Sequence, residues 1–352
     1  MDFLILFTWL RNLHPSEIKV GSLWELEYLP VEVTKRHGIY RFAVRFITLT
    51  AFKSSGHPEL MNILLALLLS VTAFASSREE AILQLSKLQN VESTFSRMDV
   101  ASKTFLGLPY GQGGPLGEGE TGRYDQDPLY RFDTFDCTTF VETIISLALT
   151  RDVDSFENHM DKIRYENSHI DYLTRNHDPT INWIPNNIKN GIFTEINHLV
   201  LPKAERKTVE TLHDLPNWLR KIQLNEIRVP AASEAERMNL LEELRAMSSQ
   251  FTPVVSKLEY LPINTLVAKP KVLKLIPNGA IVNFVRPNWD LTDSLGMKIN
   301  VSHQGIIFQR ANGPILRHAS TTGQVMEVSL LEYLKKYVNH ATMKGIHLLK
   351  VN

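Results

Sequence analysis

The stretch Phe135-Asp136-Cys137-Thr138-Thr139-Phe140-Val141-Glu142 opens a segment, running to Thr150, in which Val141, Ile144, Ile145 and Ala148 recur at helical spacing. Asp136 stands just before that stripe, where a short acidic side chain caps unpaired backbone N–H groups, so a buried helix is expected to begin at Cys137. A thiol in the first turn faces the positive end of the helix, which is expected to lower its pKa toward the reactive range. Cys137 is also the only cysteine of the chain. An intrachain disulfide and a thiolate-rich zinc site are thereby excluded, since both need a second sulfur. The plain alternative is a buried cysteine acting as a small hydrophobe. A solitary thiol kept at a capped helix start favours a nucleophile instead.

A thiol nucleophile needs a base, and two of the twelve histidines stand out. His303 begins an apolar run to Gln309, His318 lies near the end of the next run, and Arg310-Ala311-Asn312-Gly313 separates the two as a turn. A four-residue loop sets Gln309 against Pro314 and puts His318 opposite Gly305, diagonal to His303 on the same sheet face. Gly305 then leaves the space between the rings open. A two-residue turn at Asn312-Gly313 would instead set His318 opposite Ile307 and separate the two rings. In the first register His303 takes the thiol proton, His318 orients the imidazole, and the Cys137 N–H stabilises a tetrahedral oxyanion.

Outward from this centre, 78–105 carries apolar residues at roughly helical spacing and predicts one or two helices, and 107–122 is a Gly- and Pro-rich loop. The runs Ala280 to Val285, His303 to Gln309, Ile315 to Ser320 and Gly345 to Val351 predict short strands, interrupted by a helix from Ser329 to Val338. Helices first and antiparallel strands afterwards predict an α+β domain over 76–352. A largely helical insertion is expected at about 167–271, with its clearest helix from Ser233 to Met247.

With 43% hydrophobic and 22% charged residues the chain is an ordinary globular protein able to bury a sizeable core. Lys plus Arg and Asp plus Glu each total 38, which gives no basic excess for nucleic acid or an anionic membrane. The uncharged run from Leu60 to Ser77 ends in Ala73-Phe74-Ala75, the small-x-small pattern of a signal-peptidase site. The apolar run inside it, Ile63 to Ala75, is too short for a bilayer core, which needs about 20 apolar residues, so no stable membrane anchor is expected. We read 61–75 as a signal peptide starting at Met61 and 1–60 as a non-native or unstructured extension. The signal implies a periplasmic or secreted product.

Beyond these readings, several segments resemble the NlpC-like papain-fold cysteine hydrolases of bacterial cell walls. Phe105-Leu106-Gly107-Leu108-Pro109-Tyr110 with Gly113-Gly114 resembles the family's Pro-Tyr and Gly-Gly loop, and 135–142 its nucleophile helix. Pro277 to Phe284 resembles the following strand, Ser302-His303-Gln304-Gly305-Ile306-Ile307 the base strand, and Arg317-His318-Ala319-Ser320 the third catalytic position, all in the family's order. Thr138-Thr139, and Arg175-Asn176-His177 leading to Asn182-Trp183-Ile184-Pro185-Asn186-Asn187, resemble the narrower N-acetylmuramoyl-L-alanine amidase-like branch.

The resemblance implies a papain-like α+β fold with the nucleophile helix packed on an antiparallel sheet. It also implies hydrolysis of the amide joining the lactyl group of N-acetylmuramic acid to L-alanine in peptidoglycan or muropeptides, with no cofactor or metal. Tyr110 and Asp136 would line the catalytic pocket. Arg175, His177 and Trp183 are candidates for substrate contact, since a guanidinium suits a carboxylate-rich stem peptide and an indole suits a sugar face. Their structural alternative is Trp183 in the core and Arg175 paired with an acid such as Asp171. His169, His177 and Asp178 could bind zinc by residue type, but their spacing fits no ligand motif. Two further readings are a D-glutamyl-diaminopimelate endopeptidase using the same triad and a non-catalytic wall-binding protein.

Overall fold

The computed structural model describes residues 28–35, 38–45, 77–111 and 114–352. Within the N-terminal extension, the backbone of Tyr28–Lys35 (β1) and Gly38–Arg45 (β2) pairs antiparallel, a hairpin where an unstructured stretch is expected. The rest of that extension, the signal segment 61–75 and Gly113 lie outside the described residues. The hairpin falls in one compact unit, Met1–Leu69, and everything below concerns the other, Ser70–Asn352.

That unit opens with two helices, α1 (residues 77–87) and α2 (Thr94–Thr104), whose inward residues include Ala81, Leu85, Met98 and Ala101. Ile82 and Leu83, two apolar residues of the same segment, lie off the buried stripe and are about half exposed. The helix that Cys137 opens, α3 (Cys137–Leu149), has ten buried residues, Thr139 to Ala148, so it is enclosed on every side rather than amphipathic. Its N-terminus carries the expected cap: Asp136 accepts from the Thr139 N–H at 2.7 Å, and the Thr139 hydroxyl accepts from the Asp136 N–H at 3.0 Å. At its other end the buried Arg97 guanidinium donates to the carbonyls of Leu147, Ala148 and Thr150, satisfying the orphan acceptors of the last turn. Helix α4 (Val153–Arg164) packs against it.

The strands form one antiparallel sheet of eight. Besides β3 (Phe193–Glu195), these are β4 (Lys207–His213), β5 (Val254–Pro262), β6 (Ala280–Leu291), β7 (Met297–Phe308), β8 (Ile315–Ala319), β9 (Val325–Ser329) and β10 (Gly345–Val351). Their order is β4-β5-β10-β6-β7-β8-β9, with β3 also on β10. The central strands bury both faces. Ile281, Ile306, Phe308 and Leu349 turn to the core shared with α3 and α4, and Val282, Phe284, Ile307 and Leu348 turn to a second core. The second core lies under α8 (Ile263–Ala268) and α9 (Leu330–Lys335), with α5 (Ile184–Lys189), α6 (Leu215–Lys221) and α7 (Glu234–Ala246) between α4 and β5 in the chain. A smaller cluster joins Tyr124 and Tyr172 to Leu219, Leu241 and Leu244 of α6 and α7.

This is the expected mixed α/β architecture with an antiparallel sheet, and two readings need correction. The insertion is not largely helical, because β3, β4 and β5 all join the sheet. In β4 only alternate residues are buried and Leu212 is 56% exposed, so the segment lacks the apolar density that marks the central strands. Strands β6 and β7 also run past the expected limits into polar sequence. There Thr211 donates to Asn288 and Asn300, both at 2.8 Å, and ties the far end of the ribbon to β4.

Candidate active site

Strands β7 and β8 pair Ile306 with Arg317 and Phe308 with Ile315, the register that a four-residue loop gives. His303 Nε2 and His318 Nδ1 are 2.6 Å apart as a result. Gly305 lies between them: a Cβ there would stand 2.6 Å from Leu316 Cδ1 and 3.0 Å from His318 Cβ. Gly305→Ala is therefore expected to cost about 1–3 kcal/mol through overpacking and to push His318 off its partner. Thermal denaturation and turnover should both report the loss, and an unchanged variant would contradict this packing.

Burial is the main cause that depresses both imidazoles. His303 is lowered from 6.5 to about 3, first by desolvation and then by His318. His318 is lowered to about 4 by desolvation and the nearby Lys336 ammonium. Both rings are neutral at neutral pH, so one proton lies in the bond between them. If His303 donates through Nε2, its Nδ1 carries the lone pair a base needs and His318 keeps its own proton on Nε2. That last atom is buried with no hydrogen-bond partner among the described residues.

Cys137 is partly exposed at the start of α3, and the backbone of Gln304, the residue after His303, faces the sulfur. Gln304 itself is fixed by donating from Nε2 to Asn283 Oδ1 at 2.7 Å. The direction of the thiol pKa corrects the sequence reading. Burial, then the Asp136 carboxylate, push it up to about 12, outweighing the stabilisation from the helix N–H groups. Both shifts favour a neutral thiol and a neutral imidazole over an ion pair. No hydrogen bond joins Cys137 Sγ to His303 among the described residues; Thr138 Oγ1 lies 4.0 Å from the sulfur.

Tyr110 reaches the same place because its loop is held on two sides. Its N–H donates to Gly323 O at 2.8 Å, and the Gly111 N–H donates to Phe135 O at 2.9 Å. Burial, then charge on Cys137 and Asp136, push the Tyr110 phenol up. Gly114, at φ 75°, backs onto the other oxygen of Asp136, where a Cβ would meet Oδ2 at 3.7 Å. Tyr333, on α9, has no motif around it and is missed by sequence reasoning. Its ring lies 5.3 Å from His318 and 5.1 Å from Phe284. Burial, the Tyr337 hydroxyl and a charge on Cys137 all oppose its ionisation.

Beside the start of α3 lies a cavity of about 220 Å³ that Asp136, Thr138, Arg164, Arg175, His177 and Arg228 help to line. The substrate-contact candidates divide there. Arg175 donates to Asp125 at 2.9 Å, an acid other than the expected Asp171, and its Nε and Nη2 remain buried without hydrogen-bond partners among the described residues. His177 packs between Tyr172 and Trp218 and bonds through Nε2 to Tyr172 O at 2.7 Å; burial lowers it to about 3. Trp183 is 0% exposed and donates to Glu142 Oε1 at 2.8 Å, so it has no face for a sugar and belongs to the core. Asp178, of the zinc reading, caps the turn at Pro179–Trp183 by accepting from Thr180 and Ile181. Among the described residues no three His, Cys, Asp or Glu side chains gather as a metal site.

The family described as N-acetylmuramoyl-L-alanine amidase-like matches residues 100–343, about two thirds of the chain, including Cys137, His303 and His318. The chain belongs to this amidase-like family. A solved Legionella pneumophila protein is 33% identical, with TM-score 0.74, covering 79% of this chain and 96% of its own. An N-acetylmuramoyl-L-alanine amidase from Bacteroides uniformis shares the fold at 22% identity and TM-score 0.53, covering 74% of this chain and 99% of its own. No curated protein matches the sequence. Family membership points to a hydrolase acting on a peptidoglycan-type substrate.

Proposed function

We propose that the chain is an exported cysteine amidase on a papain-like, NlpC-type fold, cutting the bond between the lactyl group of N-acetylmuramic acid and L-alanine. The observation that carries this reading is the 2.6 Å His303–His318 contact on the strand whose next residue faces the Cys137 sulfur. The thiol proton moves to His303 Nδ1 as sulfur attacks the lactyl carbonyl carbon. The resulting oxyanion meets the Cys137 N–H, with Tyr110 lining the pocket. Collapse breaks the C–N bond and the proton passes from His303 to the departing L-alanine nitrogen. Water then hydrolyses the thioester, giving its proton to His303 and returning the thiol. The arginine-bearing cavity beside Asp136 suits the carboxylates of the stem peptide.

The depressed imidazoles and raised thiol make a pH profile diagnostic. A base with pKa about 3 is unprotonated throughout the neutral range, and a thiol raised to about 12 keeps its proton there. The free-enzyme profile, kcat/KM, is expected to stay flat from roughly pH 5 to pH 9. A bell with a limb near pH 6–7 would show a resting thiolate–imidazolium pair and contradict this protonation scheme. Export through 61–75, a mature domain of 76–352 and a periplasmic or secreted location belong to the same proposal. N-terminal sequencing of natural protein that finds residues before Met61 would overturn that part.

A further inference from the structure

The 2.6 Å contact between His303 Nε2 and His318 Nδ1 can hold its protons in two ways. Two neutral imidazoles carry two ring protons, and one of them lies between the rings. In the first arrangement His303 Nε2–H donates, His303 Nδ1 keeps its lone pair, and the second proton sits on His318 Nε2. In the other, His318 Nδ1–H donates, the second proton occupies His303 Nδ1, and His318 Nε2 is left with a lone pair. Only the first leaves His303 able to take a proton from a thiol. The hydrogen bond between the rings is made in both, so the choice falls to what His318 Nε2 faces.

That nitrogen is buried and has no hydrogen-bond partner among the described residues. Two rings flank the His318 imidazole. One is His303, already engaged through Nδ1; the other is Tyr333, with centroids 5.3 Å apart and planes at 74°. An edge-on approach at this distance brings a ring N–H onto a π face. The face of an aromatic ring is negative, so it attracts an N–H and repels a lone pair. Tyr333 therefore favours the arrangement with the proton on His318 Nε2.

The Tyr333 ring is itself held in place. Leu330 and Leu334 anchor α9 in the second core, and the Leu330 N–H donates to Pro314 O at 3.0 Å, just ahead of β8. Phe284 packs on Tyr333 at 5.1 Å with planes at 62°. The Tyr337 hydroxyl donates to the Tyr333 hydroxyl at 3.4 Å, which ties the phenol oxygen to the turn after α9. Resting on the amidase reading, in which His303 Nδ1 takes the thiol proton, we infer that Tyr333 is a positioning residue. The face of its ring receives the His318 Nε2–H and holds the histidine pair in the tautomers that leave His303 free as a base.

The test is heteronuclear NMR of the whole protein with isotopically labelled histidine rings, which separates protonated from lone-pair nitrogens, on the wild type, Tyr333→Phe and Tyr333→Leu. The wild type should show His303 and His318 protonated at Nε2 alone. The His318 Nε2 proton should be displaced upfield by the Tyr333 ring current, a readout that needs no folded variant. Tyr333→Phe keeps the face and should keep both the tautomers and the turnover. Tyr333→Leu should move protons onto His303 Nδ1 and lower kcat about fivefold with KM unchanged, in keeping with the small energy of an N–H···π contact. His318 protonated at Nδ1 in the wild type, an Nε2 proton without that displacement, or a folded Tyr333→Leu with wild-type tautomers would overturn the inference. So would a Tyr333→Phe variant that behaves as Tyr333→Leu does. The tautomers are read without substrate: if Tyr333 sets them in a protein that cuts no muropeptide, the amidase reading alone is lost. Cleavage by a protein whose tautomers ignore Tyr333 would do the reverse.

Discussion

Cys137→Ala is expected to lower amide cleavage by about four orders of magnitude or more, because a member of a nucleophile–base unit leaves only binding and oxyanion stabilisation behind. The fold should survive the change. Cys137 is partly exposed at the first turn, and the helix below it is held by the Asp136–Thr139 capping box, by Arg97 at its far end and by ten buried residues. A melting temperature within about 2 °C of wild type, with turnover lost, is the expected pair of results. Retained turnover in the alanine variant would remove the sulfur from the chemistry.

The largest expected loss of stability is at Glu142→Leu, beneath the candidate site. Glu142 accepts from Arg164 at 2.7 Å and from the Trp183 indole at 2.8 Å, and the side chains of Glu142 and Arg164 are only 3% and 6% exposed. Removing the carboxylate strands a guanidinium and an indole N–H in the core. Breaking a buried pair in this way costs about 3–5 kcal/mol. Glu142→Gln keeps an acceptor for the indole and should lose less. Urea unfolding checks both, and a Glu142→Leu midpoint equal to wild type would mean that Arg164 finds another partner.

Different physical signals made parts of this architecture legible in the sequence. The start of α3 is legible because its determinants are local: a capping acid, a thiol and an apolar stripe within fourteen residues, 136–149. The β7–β8 register is legible because turn length and side-chain alternation constrain it, although two turn lengths remained open until the pairing chose between them. Strands β4 and β5 are not legible, since sheet contacts rather than apolar density hold them. Trp183 is misread because an aromatic suits a sugar and a core equally well, and only its bond to Glu142, forty-one residues away, decides. Tyr333 carries no local signal, for its importance comes from a helix brought against His318 by the sheet. The thiol pKa is misread because desolvation and Asp136 act through the folded surroundings, while the helix end is visible in sequence.

Mass spectrometry of purified muropeptides incubated with the protein, beside a Cys137→Ala control, tests the central claim most directly. The account predicts free glycan and an intact stem peptide beginning with L-alanine, formed by the wild type alone. Release of L-alanyl-D-glutamate fragments, or the same products from the alanine variant, would contradict it.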